Sequence, residues 1–158
     1  MRKFSLVVGV MMISILALVT IAMAADPHVG SWKLNLAKSK YNPPSSAPKS
    51  ETVIFEAMDN GFKVVWEGVE ADGKTRHGEW TGKYDGKDYP VKGWEGVDTI
   101  ENRRVDANTF DSTLKKDGKK VGTAREVFSN NGKTLTHTVE TKSVQGQVTK
   151  VTEVFDKQ

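Results

Sequence analysis

The chain has 158 residues, a formal net charge of +3 and no cysteine. Its length predicts one folded domain, and the missing cysteines exclude disulfides and lipid attachment at a cysteine. Residues 1–24 carry two of the 23 basic residues and none of the 20 acidic ones, so the remainder has a formal net charge of only +1. Such a chain lacks the dense basic surface that nucleic-acid binding requires, and we exclude nucleic acid as a partner.

The N-terminus has the pattern of a secretory signal peptide. Arg2 and Lys3 precede an apolar run that ends in Ala22-Met23-Ala24, a small-x-small sequence of the kind that signal peptidase cleaves. We therefore expect cleavage after Ala24, a single domain over residues 25–158 and export to the periplasm or the extracellular space. No stable membrane insertion is expected after cleavage. Because the apolar run is long for a signal peptide, a retained anchor helix is the alternative.

Short β-favouring segments separated by turn residues dominate the rest of the chain. Asp-Gly and Asn-Gly pairs supply the positive φ angles of tight turns, and such short links join antiparallel neighbours. The main turn signals lie at residues 59–61, 72–74, 85–87, 117–119 and 131–133. Alternation of apolar and polar residues supports several strands, as at Phe62, Val64 and Trp66. Nine strands are predicted, near residues 30–36, 51–57, 62–70, 75–84, 97–105, 109–116, 120–129, 134–143 and 148–156.

A meander of this length predicts a closed sheet, because long open edges favour aggregation. The expected fold is all-β, an antiparallel up-and-down β-barrel of about 8–10 strands, whose interior is either packed or holds one small ligand. A two-sheet sandwich is the alternative, but it normally uses long crossovers. Long irregular links are predicted only at residues 37–50 and about 88–96. The first contains three prolines and is either a surface crossing or a lid over one end of the barrel.

Three segments of the chain carry a family resemblance. They are VGSWKLN (Val29 to Asn35), DGKKVGTAREVFSNNGKTL (Asp117 to Leu135) and TKVTEVFDK (Thr149 to Lys157). The first resembles the N-terminal G-x-W signature of the calycins, the lipocalins and fatty-acid-binding proteins, and the other two resemble the last strands of that barrel. The chain is also similar to small exported bacterial proteins that carry G-x-W-K-L-N and YDGKDYPV segments and have no assigned activity.

The resemblance implies a calycin-like barrel in which Trp32 is a structural residue at the closed end. It places Arg125 near an interior arginine of the fatty-acid-binding proteins. The chain departs from that pattern at Glu153 and Phe155, where the family has an Arg-x-Tyr pair. A carboxylate at this position would repel a fatty acid head group, and we expect it to pair with Arg125 instead.

The predicted ligand site is the barrel interior. Its apolar lining is predicted to be Phe55, Trp66, Trp80 and Phe155, with Arg125 or Glu153 at the polar end of the ligand. Core packing is the alternative role for the two tryptophans. For Arg125 the alternative is a cross-strand ion pair on the outer surface, because a buried arginine needs a partner.

No catalytic or metal-binding motif is present in the sequence. His28, His77 and His137 are the only histidines and none has metal-ligand spacing to another, so no metal is predicted. His77 shares a strand face with Glu79, for which a solvent-facing polar pair is the simpler interpretation. Nucleophile-elbow, zinc-protease, phosphate-loop and dinucleotide motifs are absent, so we predict no cofactor and no catalytic residue.

Three functions remain after these exclusions. The favoured one is an exported barrel that binds a small apolar ligand in its interior. The alternative is a structural or interaction protein of the cell envelope, with a filled barrel and functional loops. An enzyme ranks last, because it would need inward carboxylates or histidines grouped around one opening of the barrel.

Overall fold

The computed structural model describes residues 26–142, 146 and 148–158, and the predicted signal peptide lies outside these residues. Within them the chain forms β1 (Gly30–Leu34), β2 (Ser50–Met58), β3 (Gly61–Val69), β4 (Thr75–Lys83), β5 (Asp85–Lys92), β6 (Thr99–Arg104), β7 (Thr109–Lys116), β8 (Lys119–Phe128), β9 (Thr134–Lys142) and β10 (Val148–Lys157). Two 3₁₀ helices, Leu36–Lys38 and Pro44–Ser46, follow β1. Among the described residues no helix has the length and apolarity needed to span a membrane.

The ten strands form one closed antiparallel barrel, in which each strand pairs with its neighbours in sequence. β1 closes the barrel by pairing with β2 on one side and β10 on the other, so that Trp32 lies between Val53 and Lys157. Because each described strand has two partners, this sheet leaves no free edge. The prediction of an all-β up-and-down barrel is confirmed, and the sandwich alternative is wrong.

One strand was not predicted from the sequence. The link expected to be irregular at residues 88–96 contains most of β5, which pairs with both β4 and β6. The turn signal at residues 85–87 belongs to a register shift inside this strand, where Gly86 has a φ of +70°. Such a β-bulge uses the same residue types as a tight turn. Pro90 weakens the strand pattern further, since proline donates no backbone hydrogen bond.

Aromatic side chains close one end of the barrel around Trp32. This side chain is fully buried, and its Nε1 donates a hydrogen bond of 3.0 Å to the carbonyl oxygen of His28. Phe128 packs edge-on against the indole, with ring centroids 5.3 Å apart, and lies 4.4 Å from the His28 ring. A buried indole N–H needs a partner, and here the residues just before β1 supply it. Trp32 therefore fills the closed end of the barrel.

Residues 35–49, which we call the crossing segment, pass over the opposite end of the barrel from β1 to β2. Lys40 and Thr152 exchange two backbone hydrogen bonds, and the Ser39 hydroxyl accepts one from the Val154 backbone N–H. These bonds attach the crossing segment to β10. The segment is thus a surface crossing that is also fastened to the barrel wall, and a lid function stays a prediction.

Candidate ligand site inside the barrel

A cavity of about 370 Å³ lies inside the barrel. Its walls are the inward-facing side chains of the strands, and the crossing segment contributes Tyr41, Ser46 and Pro48. The volume falls within the range of about 300–1,000 Å³ that is usual for small-molecule sites. The barrel is therefore not filled by its own side chains.

The apolar wall contains four of the residues predicted from the sequence. Phe55, Trp66, Trp80 and Phe155 all line the cavity, and each is at most 8% exposed. Trp94, from the loop between β5 and β6, also lines it and packs edge-on against Trp66 with ring centroids 6.2 Å apart. These side chains belong to the core and border the open volume at the same time.

A glycine on the neighbouring strand sets the position of the Trp66 ring. Trp66 lies opposite Gly78 of β4, and a Cβ atom added at Gly78 would overlap Cζ2 and Cε2 of the indole. Glycine inside a strand often marks such a close approach. The indole can therefore lie against the β4 backbone as part of the wall.

Arg125 does not line the cavity, and its predicted role at the polar end of the ligand is wrong. Its side chain is 57% exposed, and its guanidinium donates two hydrogen bonds of 2.6 Å to the carboxylate of Asp111 on β7. The cause is strand alternation, since Ala124 and Glu126 on either side face the cavity. The predicted pair with Glu153 does not form, and the alternative, a cross-strand pair on the surface, is what the structure has.

Replacing Arg125 with alanine should lower the free energy of unfolding by less than about 1 kcal/mol, because exposed ion pairs contribute little. Urea denaturation followed by circular dichroism measures the change. A loss of about 3–5 kcal/mol, as expected when one partner of a buried ion pair is removed, would contradict the outward position of Arg125.

Glu153 does line the cavity, where it joins two other polar side chains. Its Oε1 accepts a hydrogen bond of 3.0 Å from the Tyr41 hydroxyl, and its Oε2 lies 3.2 Å from Nδ1 of His137. His137 is directly opposite Glu153 in the β9–β10 ladder. A carboxylate on Nδ1 fixes the orientation of an imidazole ring, so Glu153 positions both the histidine and the crossing segment.

Three more charged side chains border the same cavity. Glu51 of β2 is 5% exposed and lies 3.3 Å from Nη1 of Arg76 on β4. Glu126 of β8 is the cross-strand neighbour of His137. Together with Glu153 and its two partners they form what we call the polar cluster: Tyr41, Glu51, Arg76, Glu126, His137 and Glu153.

Burial and mutual charge move the pKa values of the polar cluster apart. Burial, reinforced by the charge of Glu153, raises the pKa of Glu51 to about 7 against the opposing effect of Arg76. Burial also raises the pKa of Glu126. Burial would raise the pKa of Glu153, but the hydrogen bond and charge of His137 hold it below its usual value. Burial would lower the pKa of His137, but Glu153 raises it. The Glu153–His137 ion pair is thus favoured, while Glu51 titrates near neutral pH.

Most of the polar cluster was missed in the sequence analysis, although the signal was partly there. Glu51 has the same parity as Val53 and Phe55 in a predicted strand, so alternation places it inward. His137 lies opposite Glu153, but the register that joins them is not visible in the sequence. The cluster supplies the inward carboxylates and histidine that an enzyme would need, without assigning a reaction.

His77, which shares a strand face with Glu79, lies outside the cavity. His77 is 61% exposed, and its Nδ1 lies 3.4 Å from a carboxylate oxygen of Glu67 on the outer surface, as expected for the solvent-facing interpretation. Among the described residues no group of three or more His, Cys, Asp or Glu side chains is arranged to hold a metal ion.

Fold and site together define a closed β-barrel with a partly apolar, partly charged internal cavity. No family model and no curated protein matches the chain. Its structure is similar to that of EF1p2_mFAP2b bound to DFHBI, with a TM-score of 0.49 and 11% identity over 85% of this chain and 97% of that one. It is also similar to a redesigned β-barrel, mFAP1, bound to DFHBI, with a TM-score of 0.47 and 11% identity over 83% and 95% of the two chains.

Proposed function

We propose that this protein is an exported, lipocalin-like barrel that binds one small, mostly apolar molecule in its interior. The observation that carries the proposal is the cavity of about 370 Å³, which combines an aromatic wall with a few convergent polar groups. This combination is typical of small-molecule sites. The signal-peptide pattern of residues 1–24 supports export.

The same observation counts against the alternative function. A structural or interaction protein of the envelope was expected to have a barrel filled by its own side chains, with its function in the loops. Because the barrel encloses an open cavity, the first part of that expectation, a filled interior, is not met. Residues 88–96, one of the two links predicted to be irregular, begin within strand β5, which ends at Lys92.

Binding of the neutral fluorophore N-phenylnaphthylamine tests the proposed function. We expect one equivalent to bind, with a rise in probe emission and quenching of tryptophan emission, because Trp66, Trp80 and Trp94 line the cavity. Ala124→Phe on β8 and Val64→Phe on β3 each place a large ring in the cavity wall. Each should weaken binding by about tenfold or more.

Thr123→Phe is the matched control, because residue 123 lies next to Ala124 but does not line the cavity. It should bind the probe as the unchanged protein does. Circular dichroism shows which variants remain folded. Because the two filling variants lie on different strands, the test still stands if one of them fails to fold. Equal binding by the control and by both filling variants would place the probe outside the cavity and refute the proposal.

A further inference from the structure

The charged groups in the cavity are not balanced. Three carboxylates and two groups that can carry positive charge line it: Glu51, Glu126, Glu153, Arg76 and His137. Arg76 is already held between Glu51, at 3.3 Å, and Glu70, at 3.5 Å. The Nδ1 atom of His137 contacts Glu153. Among the described residues, Glu126 has neither a hydrogen bond nor an ion pair from its carboxylate, so one cavity carboxylate is unmatched.

An unmatched carboxylate inside a protein is costly unless another positive charge or donor approaches it. The cost is visible in the pKa of Glu126, which burial raises even though the charge of His137 opposes the change. Glu51 does not relieve the imbalance, because it shares the single guanidinium of Arg76 with Glu70. The cavity therefore has more acidic than basic side chains, and a bound cation would favour the ionised form of Glu126.

Aromatic rings surround the same volume. Trp66, Trp80 and Trp94 line the cavity, and the Trp94 ring lies 6.5 Å from the ring of His137, the cross-strand neighbour of Glu126. The face of an indole attracts a cation through its quadrupole, and tryptophan is the best side chain for this interaction. A cavity lined by both an unpaired carboxylate and several indoles favours a ligand with a cationic nitrogen.

We propose that the bound molecule carries one cationic nitrogen, such as a protonated amine, on an apolar ring system, and that this nitrogen pairs with Glu126. The inference rests on the proposed function and specifies the ligand class. The cation matches the third carboxylate, whereas a fatty acid would add a fourth carboxyl group to the cavity. The ligand is then apolar in its body and positive at one end.

Naphthalene and three derivatives with different polar groups test the ligand class. Naphthalene, naphthylmethanol, naphthylmethylamine and naphthoate are compared by displacement of N-phenylnaphthylamine at neutral pH. We expect the amine, which is protonated, to bind about tenfold or more tighter than the alcohol. Naphthoate should bind more weakly than naphthalene, because it meets the carboxylates.

Substitutions at Glu126 connect this preference to one side chain. Glu126→Gln should bring the amine down to the affinity of the alcohol and leave naphthalene unchanged, whereas Glu126→Asp should keep part of the preference. Asp111→Asn removes a carboxylate from the outer face of the neighbouring strand and should change nothing in the cavity.

The outcomes separate this inference from the proposed function. Binding of the fluorophore together with naphthoate at least as tight as the amine overturns the inference and leaves the cavity function standing. An amine preference that survives in Glu126→Gln also overturns it, as does binding of the fluorophore without displacement by any of the four compounds. Failure of the fluorophore itself to bind overturns both.

Discussion

Replacing Trp32 with alanine should lower the free energy of unfolding by about 3–5 kcal/mol. The indole is fully buried at the closed end of the barrel, packs against Phe128 and donates a hydrogen bond to the His28 carbonyl. Its removal leaves a void that close-packed strands cannot collapse to fill. Urea denaturation followed by far-ultraviolet circular dichroism measures the loss.

Trp94→Ala is the matched control for this experiment. Trp94 is only partly buried and belongs to the loop between β5 and β6, so the same substitution there should cost clearly less. A loss of under about 1 kcal/mol for Trp32→Ala, the size of an average point mutation, would contradict the role of Trp32 at the closed end. Equal losses for the two variants would contradict it as well.

Replacing Glu51 with glutamine should remove a pH dependence from the stability of the barrel. The pKa of Glu51 is raised from 4.5 to about 7, first because the group is buried and then because Glu153 is close. Between these two pH values the native protein holds a proton at this site that the unfolded chain releases, so stability falls as pH rises. The resulting loss of stability has an upper limit of roughly 3–4 kcal/mol, from about 1.4 kcal/mol per pKa unit.

Unfolding free energies of the wild type and Glu51→Gln at pH 4.5 and pH 7 give the measurement. The variant should gain stability relative to the wild type as pH rises, while Glu56→Gln, on the outer face of the same strand, should follow the wild type. His137 and Glu153 are present in both proteins, so the difference in unfolding free energy between the two reports mainly on Glu51. A difference that stays constant, or that falls with rising pH, would show that Glu51 is not the buried group described.

The fold could be predicted because its signals are local. Two-residue links such as residues 59–60 and 117–118 force antiparallel neighbours, and alternation within β3 identifies the inward face of that strand. β5 was missed because a bulge at Gly86 has the composition of a turn. Closure of the sheet into a barrel was predicted from the cost of open sheet edges, and no single residue signals it.

The site was predicted less well, for reasons that differ between residues. The aromatic lining follows from alternation, so Phe55 and Trp66 were placed in the interior. Arg125 was misplaced because the family resemblance was followed there, whereas alternation with Ala124 gives its outward direction. Tyr41 carries no local signal, since its contact with Glu153 depends on the path of the crossing segment.

Native mass spectrometry of the protein purified from the cells that produce it tests most directly whether the barrel interior holds a small molecule. The predicted result is the polypeptide mass plus that of one small compound, which is released on denaturation. Ala124→Phe and Val64→Phe should lose this compound, and Thr123→Phe should retain it. A wild-type protein with the polypeptide mass alone, or a compound that both filling variants retain in full, would contradict the claim.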